Sequence, residues 1–258
     1  MGAVYRRSSV VLCKTRETLN SIPRQYRDKC RLQLEIGTER RDPFAPSHRS
    51  FGHESALIFE PSLSDPVRVS RPALRVLYVG RLVYLKGMHL GIPAFARLLE
   101  SGINATLTVV GSGPEEQRLK RLASKLGIAH AIEWRPWLRQ EEVMQVYPQH
   151  DVFLFPSLHD SSGNAVLEAM SFGLPVVCLD LGGPGVLVDE NSGIRVSGAN
   201  EALVISELSD AMRVLADDRL RREISDGAIA RAHHYFSWPK QTERMSRIYA
   251  SLAMQSAT

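Results

Sequence analysis

From Ala73 onward, short apolar runs rich in β-branched residues alternate with segments whose apolar residues recur at helical spacing. Ala73–Gly80 (ALRVLYVG), Ala105–Gly111 (ATLTVVG), Ala131–Trp134, Asp151–Phe155, Pro175–Leu179 and Gly193–Val196 read as strands. Between them, Gly87–Ser101, Pro114–Leu126, Gln140–Tyr147 and Gly163–Phe172 read as helices, and Pro114 suits a first helical turn. Beyond Val196 the pattern is helical: Glu201–Ala216, Asp218–Tyr235, then Pro239 to about Ala253. Strands that are apolar along their whole length are buried on both faces. Repeated βα units of this kind predict an α/β fold, a doubly wound parallel sheet with a helical C-terminal tail.

The first 71 residues follow a different pattern. Ser8–Cys13 and Cys30–Ile36 read as two strands flanking a short helix at Thr15–Ser21, and Thr38–Ser70 has the Pro-, Ser-, Arg- and Asp-rich composition of a linker. One strand–helix–strand unit is too small to bury a core and is expected to pack on something else. The predicted organisation is a partial second domain over 1–48, a linker over 49–71, a ligand-binding domain over 72–237 and a closing helix over 238–258.

Composition changes this picture little. Hydrophobic residues make up 44% and charged residues 23% of the 258, which is enough to bury a core. No run of 18 or more apolar residues predicts a membrane-spanning helix, and the start, MGAVYRR, lacks the apolar centre of a secretory signal. Cys13, Cys30 and Cys178 have no metal-ligand spacing and read as reduced thiols, so a cytoplasmic location is expected. Charge is uneven: residues 1–71 carry 13 Lys and Arg against 8 Asp and Glu, whereas the remainder carries 19 against 20. That basic excess reads as a solvated surface, or as a patch for peripheral contact with anionic lipid on the inner membrane face. No zinc-finger or RNA-binding signature accompanies it, so no nucleic-acid partner is expected.

Candidate chemistry gathers where strands end. In FPSLHDSSGNAVLEAMSFGLP, residues 155–175, a loop acid, Asp160, precedes Ser161-Ser162-Gly163-Asn164 at a helix start, and a second acid, Glu168, lies inside that helix. Free N–H groups at the turn suit a phosphate. Glu168 lies among apolar neighbours and needs a partner, for which ligand hydroxyls qualify. Asp160 reads equally as an N-terminal cap. Gly80, Arg81 and Lys86 follow the first long strand and read either as a grip on a diphosphate or as a loop with two solvated bases. Gly111-Ser112-Gly113 follows the next strand, but Glu116 stands at the third glycine position of a dinucleotide fingerprint, so NAD is not expected. In Trp134-Arg135-Pro136-Trp137 an aromatic either flanks a nucleobase or fills the core, and Trp134 and Pro136 stand as nucleotide-binding candidates. Gly182-Gly183-Pro184-Gly185 reads as a turn at the same edge of the sheet. No His, Cys and Asp cluster has metal-ligand spacing.

Taken together, GRLVYLKG, VVGSGPE, DVFLFPSLHDSSGNAVLEAMSFGLPVV and LDLGGPG resemble, in this order, the donor-binding half of glycosyltransferase family 4, whose members have the two-domain GT-B fold. FSWPKQTERMSRIYASL resembles the family's closing helix, which crosses back to the other domain. The resemblance runs from about Ala73 to Leu252, and the family's E-x7-E signature falls on Asp160 and Glu168, with Asp in place of the usual first Glu. It implies a retaining, metal-independent transferase using a UDP- or GDP-sugar and no further cofactor. By it, Glu168 would hold the ribose hydroxyls, Arg81, Lys86 and the N–H groups around Ser161–Asn164 would neutralise the leaving diphosphate, and Asp160 would lie near the donor sugar. Gly80, Gly111, Ser112 and Gly113 would line the nucleotide. At the N-terminus, SSVVLCKTRETLNSIPRQYRDKCRLQLEIG resembles only the last strand–helix–strand of the family's acceptor domain, and DPFAP its lead-in to the linker. The chain is therefore expected to bind donor and to be weakly active or inactive alone, with a partner chain or a second copy completing the cleft. The rival readings are a non-catalytic nucleotide-sugar-binding module or truncated product, and a GT-B-fold UDP-sugar epimerase.

Overall fold

A computed structural model of the chain describes residues 2–34, 36–38 and 73–255. In chain order its elements are α1 (Gly2–Arg7), β1 (Val11–Cys13), α2 (Arg16–Ser21), β2 (Cys30–Leu32), β3 (Leu74–Val79), α3 (Met88–Glu100), β4 (Ala105–Val110), α4 (Glu116–Lys125), β5 (Ile132–Arg135), α5 (Gln140–Val146) and β6 (Val152–Phe155). There follow α6 (Asn164–Ser171), β7 (Val176–Leu179), α7 (Gly182–Leu187), β8 (Gly193–Val196), α8 (Glu201–Val214), α9 (Asp218–Phe236) and α10 (Trp238–Gln255).

Strands β3 to β8 form one parallel sheet in the order β5-β4-β3-β6-β7-β8. The four residues of β6 and of β7 are buried throughout, as expected of strands covered on both faces. The winding reverses between β3 and β6. At such a switch point the connections leave the strands' carboxyl ends in opposite directions and open a crevice, where ligands of doubly wound sheets bind. The core is continuous across the sheet and its helices, with Tyr78, Phe95, Tyr147 and Phe153 all fully buried. This is the Rossmann-like arrangement the strand pattern predicts.

The N-terminal residues form a separate two-stranded parallel sheet, β1 with β2, around a small cluster of Cys13, Ile22 and Cys30. Thr15 caps α2 by accepting the Thr18 N–H. The second strand ends at Leu32 rather than Ile36, and α1 was not foreseen. This unit is held to the rest at α7, where the Gly182 N–H donates to Glu17 Oε1 at 3.1 Å, and at α10 and its junction with α9. Gln33 donates to Gln241 at 2.7 Å, Gln241 donates to the Ile36 carbonyl, and Thr38 bridges to Ser237. The predicted linker over 49–71 and the DPFAP segment lie outside the described residues. Among the described residues no helix is long and apolar enough to cross a membrane.

One further expectation changes. Gly182–Gly185, read as a turn, opens the short helix α7. The Gly183 N–H donates to the Asp160 carbonyl at 2.7 Å and the Gly185 N–H to Leu181 at 3.1 Å, so contacts with the neighbouring loop wind a sequence of poor intrinsic helix propensity.

Candidate functional site

The loops leaving β3 and β4 meet at the switch point. Gly80 donates to the Val110 carbonyl, and Leu82 N–H to the Ser112 carbonyl, both at 3.0 Å. Gly111 has φ +143°, and a Cβ there would lie 1.9 Å from the Gly80 carbonyl oxygen, so only glycine allows the two turns to touch. Beside them opens a cleft of about 400 Å³. Its floor is Gly80, Arg81, Gly111 and Ser112. One wall is the Trp137–Gln140 segment with Val143 of α5, and the other is Asn164, Ala165 and Glu168 of α6. Arg81 is exposed here, and among the described residues no carboxylate pairs with it.

Six of the predicted residues therefore share one cleft: Gly80, Arg81, Gly111, Ser112, Asn164 and Glu168. Glu168 is half-buried, and both its oxygens have partners. Gln140 Nε2 donates to Oε1 at 2.8 Å, and the Tyr147 hydroxyl donates to Oε2 at 2.9 Å. Asn164 and Glu168 also border a cavity of about 250 Å³ walled by Ile36, Gly37, Thr38 and Trp238.

The turn ahead of α6 differs from expectation. The N–H groups of Ser162 and Gly163 are not free, because Asp160 Oδ1 accepts both, at 3.1 and 2.7 Å. Asp160 Oδ2 meets Lys86 Nζ at 2.5 Å, with the side chains only 15% and 17% exposed. Asp160 thus closes the turn ahead of α6 rather than capping the helix itself, and Lys86 is its counter-ion rather than an unpaired cation of the cleft. Burial alone would push the Asp160 carboxyl up. The hydrogen bond from Lys86, the Gly163 and Ser162 amides and the Lys86 charge outweigh it, so Asp160 lies below its ordinary range. The same carboxylate, after burial, helps push the Tyr78 hydroxyl up. Gly163 has φ +76°, with the Leu187 side chain 2.8 Å from where a Cβ would be, so α7 packs directly against the turn. What remains for an anion is the first turn of α6 itself, whose leading N–H groups have no intrahelical partner.

Four other predicted residues lie outside this cleft. Trp134 packs on the core with Lys120 Nζ over its ring at 5.6 Å, because β5 pairs it beside Val109. Pro136 is exposed and does not line the cleft, and neither does Ser161, which is exposed in the loop. Gly113 backs onto the Leu82 carbonyl in the crossing of the two loops. The aromatic at the cleft is Trp137, 70% exposed, whose N–H donates to Ser112 Oγ at 3.2 Å. Sequence reasoning took Trp134 rather than Trp137 from that motif and passed over Leu138, Gln140, Val143 and Tyr147. The available signal was that these flank or build the helix after a strand end, the side from which a doubly wound sheet takes its ligand.

The fold is that of a Rossmann-like domain of GT-B type, with an open cleft at its switch point. The chain belongs to the glycosyl transferases group 1 family, whose model matches residues 67–231. It is 34% identical over 190 residues to a D-inositol 3-phosphate glycosyltransferase of Streptomyces bingchenggensis, covering 69% of this chain and 40% of that protein. It is 26% identical over 203 residues to the phosphatidylinositol N-acetylglucosaminyltransferase gpi3 subunit of Schizosaccharomyces pombe, covering 78% and 43%. The chain thus spans well under half the length of these curated relatives. Among solved structures, Anabaena HepE in complex with UDP superposes with a TM-score of 0.70 at 18% identity, covering 97% of this chain and 66% of HepE. The C-terminal domain of a group 1 glycosyl transferase, LpcC, from Francisella tularensis superposes with a TM-score of 0.57 at 21% identity, covering 64% and 87%.

Proposed function

We propose that these residues form the donor side of a glycosyltransferase and bind a UDP- or GDP-sugar in the cleft at the switch point. The observation that carries this is the convergence of Arg81, the Gly80 and Gly111 turns, the first turn of α6 and Glu168 on one cavity of about 400 Å³. In this reading the nucleobase lies against Trp137 and Leu138, and Glu168 accepts hydrogen bonds from the ribose hydroxyls. The diphosphate lies between Arg81 and the start of α6. As the glycosidic bond breaks, the leaving diphosphate gains charge. A guanidinium and helix N–H groups fixed in place stabilise it without reorganising. That supports transfer without a metal ion; retention rests on the resemblance to family 4 alone. A fold neighbour supports a nucleotide-sugar partner: Anabaena HepE has been solved in complex with UDP-glucose.

Donor binding is the part of the reaction these residues supply. The acceptor side, whether from further sequence, a partner chain or a second copy, is required for transfer, and the chain by itself is expected to transfer little sugar. Calorimetric titration with UDP, GDP and ADP tests the reading, repeated on Arg81→Ala and Glu168→Ala. Binding of one nucleotide, weakened in both variants, supports it. Failure of all three to bind sinks it.

A further inference from the structure

The reading above leaves unexplained why Glu168 already has two partners, and the two are unlike. Tyr147 is fully buried, its ring stacked on Phe172 at 5.4 Å and tilted against Phe153 at 5.9 Å, with its hydroxyl 2.9 Å from Glu168 Oε2. A ring locked between two others has one position, so this donor is fixed. Gln140 is the opposite. It is the exposed first residue of α5, and it reaches Glu168 Oε1 at 2.8 Å from the rim of the cleft. A hydrogen bond between an exposed amide and a half-buried carboxylate exchanges readily with water or with another donor.

We propose that Tyr147 is a positioning residue that fixes the Glu168 carboxylate for ligand hydroxyls, and that Gln140 is a place-holder which those hydroxyls displace. The inference rests on the nucleotide-sugar reading and goes beyond it by assigning two residues outside the binding motifs. Held by Tyr147 at Oε2, the carboxylate cannot rotate freely, and Oε1 keeps facing the cleft. Among the described residues no side chain of α6 hydrogen-bonds Glu168 Oε1, so without Gln140 that half-buried oxygen has no protein partner. Because Gln140 also begins the helix that follows Trp137 and Leu138, its release on binding couples occupancy of the hydroxyl site to the wall proposed for the base.

The test is titration of the full chain with UDP and GDP, each beside its 2′,3′-dideoxy counterpart, on wild type, Tyr147→Phe and Gln140→Ala. Wild type is expected to prefer the ribonucleotide. Tyr147→Phe should weaken the ribonucleotide about tenfold, the scale of one hydrogen bond to a charged group, and leave the dideoxy form nearly unchanged. Gln140→Ala should tighten the ribonucleotide about threefold and leave the dideoxy form alone. A merely structural role for Tyr147 would weaken both nucleotides by the same factor, and that result overturns the inference. An unchanged ribonucleotide affinity does so too. Should Tyr147→Phe fail to fold, the Gln140→Ala ratio decides, and no selective tightening rejects the proposal. Wild-type binding without ribose preference removes this inference while leaving the diphosphate half of the functional reading standing. No nucleotide binding at all removes both.

Discussion

The two acids of the 160–168 segment lie eight residues apart and live in different chemistry. Asp160 spends both oxygens on the protein: Lys86 on one side, the Ser162 and Gly163 amides on the other, with α7 hydrogen-bonded to its backbone. Glu168 has one fixed partner, one exposed partner, and a cleft in front of it. The sequence leaves Asp160 open between a cap and a neighbour of the ligand, whereas it points Glu168 toward a partner. The structure separates an acid whose two oxygens hold the turn together from an acid that faces an open cleft, and the short Asp160 side chain suits its reach to its own turn.

Asp160→Ala makes the sharpest break in that comparison. It strands the Lys86 ammonium in a mostly buried place and takes the acceptor from two amides. The expected cost is roughly 3 kcal/mol of folding stability, at the lower end for breaking a buried pair. Denaturant melts read it directly, as a fall in midpoint with unchanged slope. Glu168→Ala should cost less, roughly 1–2 kcal/mol in the same melts. Its Gln140 partner is at the surface, and the buried Tyr147 hydroxyl, which loses its acceptor, is left with the Ala165 carbonyl at 3.5 Å. An equal loss from both variants would erase the distinction drawn here.

Next in size is the binding side. Glu168→Ala is expected to weaken the bound nucleotide roughly thirtyfold, about 2 kcal/mol, from the loss of hydroxyl contacts to a charged acceptor. Asp160→Asn, which keeps the shape of the side chain, should change nucleotide affinity much less. If Asp160→Asn proves the more damaging in calorimetry, Asp160 reaches the ligand and the assignment of roles reverses.

The tryptophans give a smaller effect with the same logic. Trp134→Ala should lower stability by roughly 1–2 kcal/mol, less than for a wholly buried ring, with nucleotide affinity kept. Trp137→Ala should leave stability unchanged and weaken the nucleotide by about fivefold if a base stacks there. Intrinsic tryptophan fluorescence offers the check: the change on adding nucleotide should shrink in Trp137→Ala and persist in Trp134→Ala.

How far the sequence alone reaches can be judged from these same residues. The doubly wound sheet was legible because β6 and β7 are apolar at every position, and only a strand covered on both faces tolerates that. Arg81, Gly111 and Glu168 were legible because strand ends in such sheets face the crevice. The choice between Trp134 and Trp137 was not, since β5 ends between them at Arg135 and the alternation that orients a side chain stops with it. Nor was the helix at Gly182, wound by a hydrogen bond to Asp160, which is 23 residues away from Gly183 in sequence and adjacent only in space. The engagement of the Ser162 and Gly163 amides followed from a side-chain direction that spacing does not carry.

The smallest predicted effect is in acid. Asp160 is lowered from its ordinary value of 3.8, so it binds its proton less readily folded than unfolded. Such a group contributes stability that is fully present above the unfolded value and lost as pH falls through the folded one. The contribution should therefore hold from neutral pH down to about pH 4 and decline below it. Asp160→Asn removes the titrating group, and its stability should fall less steeply than wild type below that pH, even though it starts lower. The Glu243 and Glu142 carboxyls, lowered by surface hydrogen bonds, titrate in the same window. They stay constant between the two proteins, so the difference of the two melting curves isolates Asp160. Parallel curves would show that the pair with Lys86 contributes nothing in the folded protein beyond what the denatured chain retains, and Asp160 would lose its standing as the acid that holds the turn.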